Sequence, residues 1–497
     1  MALEFLDLAI VAAYAVILVA LALFVSREKA GHVKDSQDYF LAGRALPWWA
    51  VGASLIAANI SAEQIIGQSG QGYVVGLAIA AYEWQAAIVL LIVAKFFLPI
   101  FLKREIYTMP QFLDQRFGSG VKSVMAVFWI VLYTAVNLTA VLWLGALAIN
   151  GLTGLAVWPA MAALAAFAVI YSLYGGPVAG FAILLSELPG HFEMILPRDH
   201  ASYADLPGIW TLLGGLWVLH FSYWGFNQYI IQRALGAKSL DEARKGLAFA
   251  AFLKLLIPLI VVVPGIAALY LAQEGRLDPA LLAARPDSTY GVLMTLVPGG
   301  LRGLVFAALI AAIVSSLASM MNSISTIFTM DIYRALRPNG QRGHYVLVGR
   351  ITAFAAILIA LLLAQPFLGG FESAFQTIQE YTGFIAPGVV AVFLLGFFWK
   401  RMNTPGAFGV LAGSVGLSFV FWLMAGNGSL ELPFVIRIWI VFLACLALGV
   451  IVSLITLAPR EDRPVDLSGI RFATTGGFNI AGIAIIAILA LIYGVFW

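Results

Sequence analysis

The sequence predicts an all-α integral membrane protein, and three observations carry that prediction. The chain is 62% hydrophobic and only 11% charged over 497 residues, where a globular domain carries about a quarter charged residues. Its apolar residues gather in runs of roughly 20, the length a helix needs to cross a bilayer. Its Lys and Arg gather in alternate short loops, as they do on the cytoplasmic side of membrane proteins. The single cysteine, Cys445, lies in an apolar run, which excludes disulfides and cysteine metal sites. The formal charge of +3 says little about partners, and no nucleic-acid partner is expected. No glycine pattern fits a phosphate loop, no His/Glu spacing fits a metalloenzyme and no nucleophile–base pair is present, so an enzyme is not expected.

Apolar spans fall at about 5–25, 47–72, 75–101, 123–150, 155–175, 208–230, 247–273, 303–330, 345–367, 374–398, 405–425, 433–457 and 478–496, thirteen in all. The first begins with acidic residues and has no small-residue cleavage site, so it reads as a retained helix and not a signal peptide. Basic residues mark the loops 26–46 (Arg27, Lys29, Lys34, Arg44), 102–122 (Lys103, Arg104, Arg116, Lys122), 231–246 (Arg233, Lys238, Arg244, Lys245) and 331–344 (Arg334, Arg337, Arg342). Lys400 and Arg401, then Arg460, Arg463 and Arg471, mark two more. This places the N-terminus outside, in a multi-pass protein of the plasma membrane, or the inner membrane of a bacterial source.

The alternation fails once. The fifth span must end inside near Gly176, and the span at 208–230 must start outside. Between them the only apolar material is PVAGFAILLSEL, residues 177–188. A helix that short covers ~20 Å at ~1.5 Å per residue, against a hydrocarbon core of ~30 Å. One crossing is missing, and 177–188 is its expected remnant.

Ser54 to Tyr73 starts as an apolar helix and turns polar at mid-depth, with Asn59, Ser61, Glu63 and Gln64 followed by Gly67, Gly70 and Gly72. Polar groups inside a bilayer mark a substrate or ion path, and a broken helix there lines a cavity. Glu83 lies well inside the third span. It either pairs with a buried cation for packing or accepts hydrogen bonds from a polyol or amine. Tyr82 and Trp84 flank it, and aromatic rings suit the faces of a sugar. Lys254 either snorkels to an interface or points inward to Glu83 or a substrate hydroxyl. Ser315 and Ser316 serve as small packing contacts or give Na+ two of its oxygens, the carbonyls of the break at Ala57 to Ile60 giving others. His220 is a packing residue or part of a polar cluster with Tyr223, Trp224, Asn227 and Gln228. Gln379 is another mid-membrane amide. Glu63, Glu380 and Lys95 read as structural or interfacial.

Ordered matches along nearly the whole chain resemble one family: SLIAANISAEQ, YEWQ, YTMPQFLDQRF, YSLYGG, PGHFEMIL, YWGFNQYIIQR, AAFLKLLIP, VSSLASMMNS and IQEYTG. The chain is similar to the sodium:solute symporter family, within it to the sodium/glucose cotransporter type, and there to the bacterial sodium/galactose symporters. The resemblance implies a leucine-transporter-type core of five plus five inverted-repeat helices at 47–398, a flanking helix at 5–25 and further ones at 405–496. All lie in one polytopic domain, residues 1–497. It implies Na+, the coupling ion, held by the carbonyls of Ala57, Ile60 and Ala312 and the hydroxyls of Ser315 and Ser316, with no other cofactor. It implies a sugar held by Gln64, Glu83, Lys254 and Gln379, with Tyr223 closing the site from inside and Trp224 beside it.

Three departures stand against the bacterial galactose carriers. His220 replaces a sugar-binding asparagine, and Ala86 replaces a serine. The fifth core helix is reduced to 177–188, the crossing that the charge pattern also lacks. The expected function is Na+-coupled import of a galactose- or glucose-like sugar by alternating access, with Tyr82 and His220 added to the sugar site. The alternatives are a solute-binding sensor that does not transport, and symport of another polar solute such as inositol or a sialic acid. The sequence leaves the oligomeric state open.

Overall fold

In a bilayer every backbone N–H and C=O must find a partner within its own segment or a neighbouring one, and helices meet that demand. Apart from one bridge between Leu46 and Ala237, the regular structure among the described residues is helical. This computed structural model describes residues 5–7, 9–14, 16, 46–104, 106, 108–153, 181–298, 300–338, 342–368, 374–459 and 462–497. Most of the expected first span, the loop at 26–45, the fifth span at 155–175 and residues 177–180 of the short remnant lie outside these.

Helix α1, Trp48–Asn59, stops where Ile60 turns extended at φ −64° and ψ 115°. Helix α2, Glu63–Val74, follows at a bend of 62° and opens with a π-turn, Glu63–Gly67. Then come α3, Leu77–Lys103, α4, Met109–Phe117, capped by the Thr108 hydroxyl, and α5, Ser119–Ala146. The described part of the remnant is α6, Phe181–Glu187. Seven residues of helix rise ~10 Å.

The expected single span at 208–230 is instead three short helices, α7 Ile209–Leu213, α8 Leu216–His220 and α9 Gln228–Leu235. The first break falls at Gly214 and Gly215, where a Cβ on Gly215 would lie 2.1 Å from the Val435 carbonyl. The second follows the π-turn Phe221–Gly225, and there the Asn227 side chain accepts the Tyr229 N–H at 3.2 Å to start α9. Helix α10, Leu240–Gln273, begins inside the expected basic loop. Its cap explains the difference: Ser239 accepts the Glu242 N–H at 3.2 Å, with Asp241 and Glu242 in the positive first turn.

Helix α11, Leu301–Ile327, and α12, Arg342–Leu368, are long. The expected span at 374–398 is bent by 42° between α13, Ala374–Thr382, and α14, Ala386–Phe398. The chain closes with α15 Thr404–Gly426, α16 Phe434–Ile455 and α17 Gly476–Val495. Among the described residues eight helices are long and apolar enough to cross a membrane, or ten if each bent pair is one span.

Burial sorts these helices. The most apolar stretch of α3 is 72% buried, that of α15 and of α17 only 22%. Helices α1, α2, α3, α10 and α11 therefore form the interior, while α12, α15, α16 and α17 turn Ile351, Phe419, Ile455 and Ile483 outward as a lipid-facing surface. Both halves of the broken helix lie on α10 at glycines. A Cβ on Gly246 would meet Val51 at 2.7 Å, and one on Gly265 would meet the Ser69 carbonyl at 2.1 Å. Lipid tails are as apolar as the helices, so no hydrophobic force drives these together, and such small residues let backbones approach and gain contact.

Candidate substrate and ion site

The α1–α2 break leaves carbonyls that no helical N–H reaches. Ser316 on α11 takes two of them: its hydroxyl donates to Ile60 O at 3.0 Å and to Ala58 O at 3.2 Å. Of the expected Na+ oxygens, the structure thus brings together Ser316 and Ile60. The carbonyl of Ala58, next to the expected Ala57, is the second one that Ser316 meets. Ala312 lies one helical turn before Ser316 on the same face, and the Ser315 carbonyl accepts the Ser319 hydroxyl at 2.7 Å.

Beside this contact lies a cavity of about 80 Å3. Gln64, Tyr82, Glu83, His220, Tyr223, Trp224, Lys254 and Gln379 all line it, so every side chain expected to bind substrate or to gate it converges there. Helix period explains part of this. Gln64 and Gln68 share a face of α2, and both donate to one Glu83 oxygen, at 3.1 and 2.8 Å. Lys254, from α10, donates to the other Glu83 oxygen, and its ammonium sits 4.9 Å above the Trp224 ring. Glu83 and Lys254 are each almost fully buried. Such a pair is sustained only by mutual contact and further hydrogen bonds, and the two amides supply those.

On another side of the cavity Asn59 joins the break to the gate. Its amide donates to the Tyr223 hydroxyl at 3.0 Å, and its oxygen accepts from Gln64 at 3.0 Å. Tyr229 also donates to the Tyr223 hydroxyl, at 2.8 Å. Gln379 on α13 donates to Glu63 at 2.8 Å. Tyr82 packs edge-on against His220 and Phe375, with ring centres 6.4 and 5.1 Å away.

Five polar atoms of cavity-lining side chains have no hydrogen-bond partner among the described residues: Gln64 Oε1, Gln68 Oε1, Tyr82 Oη, Asn137 Oδ1 and His220 Nε2. Buried polar atoms are seldom left so. Together they offer acceptors and a donor to a ligand rich in hydroxyls.

Two expectations need correction. Trp84 does not face the cavity. Its indole N–H donates to Leu255 O at 3.3 Å and its ring meets Tyr493, because it lies two residues, or about 200°, round α3 from the cavity-lining Tyr82. Glu63, read as structural, lines the cavity and receives Gln379. Asn59, read only as one of the polar groups at the break, lines the cavity too, as do Gln68 and Tyr229, to which the sequence reading gave no role. Gln68 was within reach, since it follows Gln64 by four residues. Glu380 is structural, paired with Arg437 at 2.7 Å, and Lys95 sits over the Phe96 ring. Gln228 stays behind the cavity, where its oxygen accepts the Met109 N–H at 2.8 Å.

The model of the Sodium:solute symporter family matches residues 39–182 and 198–413. The chain belongs to that family. This symporter-family chain is 46% identical to the sodium/glucose cotransporter of Vibrio parahaemolyticus, over an alignment that takes in all of this chain and 99% of that protein. The alignment runs to 542 positions and this chain supplies 497 residues, so at least 45 positions have no residue here. It is 33% identical to sodium/myo-inositol cotransporter 2 of Sus scrofa, over 84% of this chain and 71% of that protein. Its fold matches a Na+-coupled sialic acid symporter solved in a substrate-bound outward-open state, with a TM-score of 0.75 over 93% of this chain and all of that one, at 21% identity.

Proposed function

We propose that this sodium:solute symporter imports a galactose- or glucose-like sugar together with Na+, by alternating access. One observation carries the substrate class. Gln64, Tyr82, Glu83, His220, Lys254 and Gln379 meet in one small buried cavity, and five polar atoms of its lining are left without partners among the described residues. A hexose presents hydroxyls that both donate and accept, and an apolar face that suits Tyr82 and Phe375. In this reading Glu83 and Lys254 hold hydroxyls as acceptor and donor. Gln64 and Gln379 complete the ring of contacts, and His220 gives an acceptor or donor where its neighbours are aromatic.

Na+ takes the place that Ser316 now fills by hydrogen bonding. The carbonyls of Ala57, Ile60 and Ala312 and the hydroxyls of Ser315 and Ser316 surround it. Its charge satisfies the carbonyls at the break and braces α1 and α2 against α11. That sets Gln64 and Gln68 on Glu83 and so assembles the sugar site. Tyr223, held by Asn59 and Tyr229, closes the inner side over Trp224, and its release opens the way to the cytoplasm. The chain lies in the plasma membrane with its N-terminus outside.

Equilibrium binding of labelled galactose to the purified chain tests the substrate class. Binding should strengthen with Na+ and yield to unlabelled galactose or glucose. Displacement only by inositol or by a sialic acid would assign another polar solute, as the names of two relatives suggest. No displacement by any of these would refute the cavity as a polyol site.

A second reading rests on the missing crossing, which the charge pattern places at 177–188 and which the unmatched alignment positions support. A core without its fifth helix binds solute yet does not carry it. Binding of labelled sugar with no accumulation in sealed vesicles would favour this non-transporting form, and robust accumulation would end it.

A further inference from the structure

A second polar cavity lies far from the sugar site, at the basic end of the bundle. It is an open cleft of about 310 Å3 where α4, the α14–α15 turn and the segment after α16 meet. Three cations line it, Arg116, Lys400 and Arg401, against one acid, Asp462. The acid is already engaged: its carboxylate accepts the Thr404 N–H at 2.9 Å and the Thr404 hydroxyl. Lys400 and Arg401 are exposed and form no ion pair among the described residues.

Arg116 is 1% exposed. Its Nε donates to Gly396 O at 3.2 Å, and its Nη2 donates to Lys400 O at 3.3 Å and to Met402 O at 2.5 Å. Its Nη1 has no partner among the described residues. Burial lowers the guanidinium to about 10, so it stays charged at neutral pH. A buried guanidinium with one unmet donor, beside two free cations, suits an oxygen of a phosphate, which takes a charge-assisted hydrogen bond from that donor.

The rim of the cavity selects the source of that phosphate. Leu454 lines it at 53% exposure, and Ile455 and Leu457, at 76% and 93%, project where α16 ends. These apolar side chains continue the lipid-facing surface of α16 to the mouth of a cationic cavity. A soluble anion has no use for them, whereas a phospholipid lays its chains on them with its headgroup in the cavity. We propose that this cavity binds the phosphate headgroup of an anionic phospholipid, with Arg116 at its base and Lys400 and Arg401 at its mouth. The site lies on the side that the basic loops assign to the cytoplasm, where anionic lipids collect around basic segments.

The test is lipid retention by the full-length chain, purified in detergent, stripped of lipid and offered phosphatidylglycerol or phosphatidylcholine before native mass spectrometry. The wild type should keep phosphatidylglycerol and release phosphatidylcholine. Because both mouth residues are exposed, the Lys400→Ala/Arg401→Ala variant should fold. It should hold phosphatidylglycerol about thirtyfold more weakly, each surface cation contributing roughly fivefold. A control variant, Arg276→Ala/Arg285→Ala, alters exposed arginines elsewhere and should leave retention unchanged. Equal retention of the two lipids would overturn the proposal, as would retention unaffected by the mouth variant. Displacement of bound phosphatidylglycerol by inorganic phosphate at equal concentration would also overturn it, assigning the cavity to a soluble anion.

Discussion

Glu83 holds the substrate cavity together at the scale of single residues. It receives Gln64 and Gln68 on one oxygen and Lys254 on the other. Glu83→Gln leaves Lys254 buried beside a neutral amide, and an unpaired buried charge costs about 3–5 kcal/mol. Thermal unfolding in detergent should show that loss. The double variant Glu83→Gln/Lys254→Met should recover most of the stability but not sugar binding. A single variant as stable as the wild type would contradict the pairing. Ser316→Ala should raise the Na+ concentration for half-maximal uptake about tenfold, the effect of one hydrogen-bonding oxygen on a charged group. An unchanged Na+ dependence at equal expression would remove Ser316 from the ion site. These residues were legible in the sequence because polar side chains inside apolar runs are few and costly. Glu63 was not, since a carboxylate at a helix start equally suits the helix dipole, and only the fold shows Gln379 reaching it.

The broken helix and the elements packed on it make the next scale. Helix α2 rests on α10 through Gly265, where a Cβ would sit 2.1 Å from Ser69 O and 2.8 Å from Tyr73 N. Gly265→Ala should push the two helices apart, cost about 1–3 kcal/mol as overpacking and weaken sugar binding by displacing Gln64 and Gln68. Gly291→Ala, with open space around it, should change neither stability nor binding. The gate turn answers to a subtler change. Tyr223→Phe strips Asn59 and Tyr229 of their shared partner, so preloaded sugar should leave vesicles several-fold faster without Na+. An unchanged efflux rate would take Tyr223 out of the gate. The break in α1–α2 was readable because its residues are polar. The breaks between α7, α8 and α9 were not, because residues 208–230 read as one apolar span. At the first of them the Val435 backbone lies close against Gly215, more than 200 residues away in the sequence.

The whole molecule is a bundle whose interior helices surround a polar centre and whose outer helices face lipid. Composition and spacing alone make that much plain in the sequence. The family followed from ordered motifs, and the convergence of Gln64, Glu83, Lys254 and Gln379 on one cavity agrees with it. Orientation is a matter of charge. If the basic loops are cytoplasmic, a cysteine introduced as Lys400→Cys is labelled by a membrane-impermeant thiol reagent only from inside, and Arg198→Cys only from outside. Cys445 is buried and should not interfere. Labelling of both from one side would place the missing crossing elsewhere than 177–188. Accumulation of labelled galactose in sealed proteoliposomes, with Na+ outside or with choline in its place, tests coupled transport most directly. Symport predicts uptake above the external concentration with Na+, and only equilibration or less with choline. Equal uptake in the two media, or binding with no accumulation in either, would contradict it.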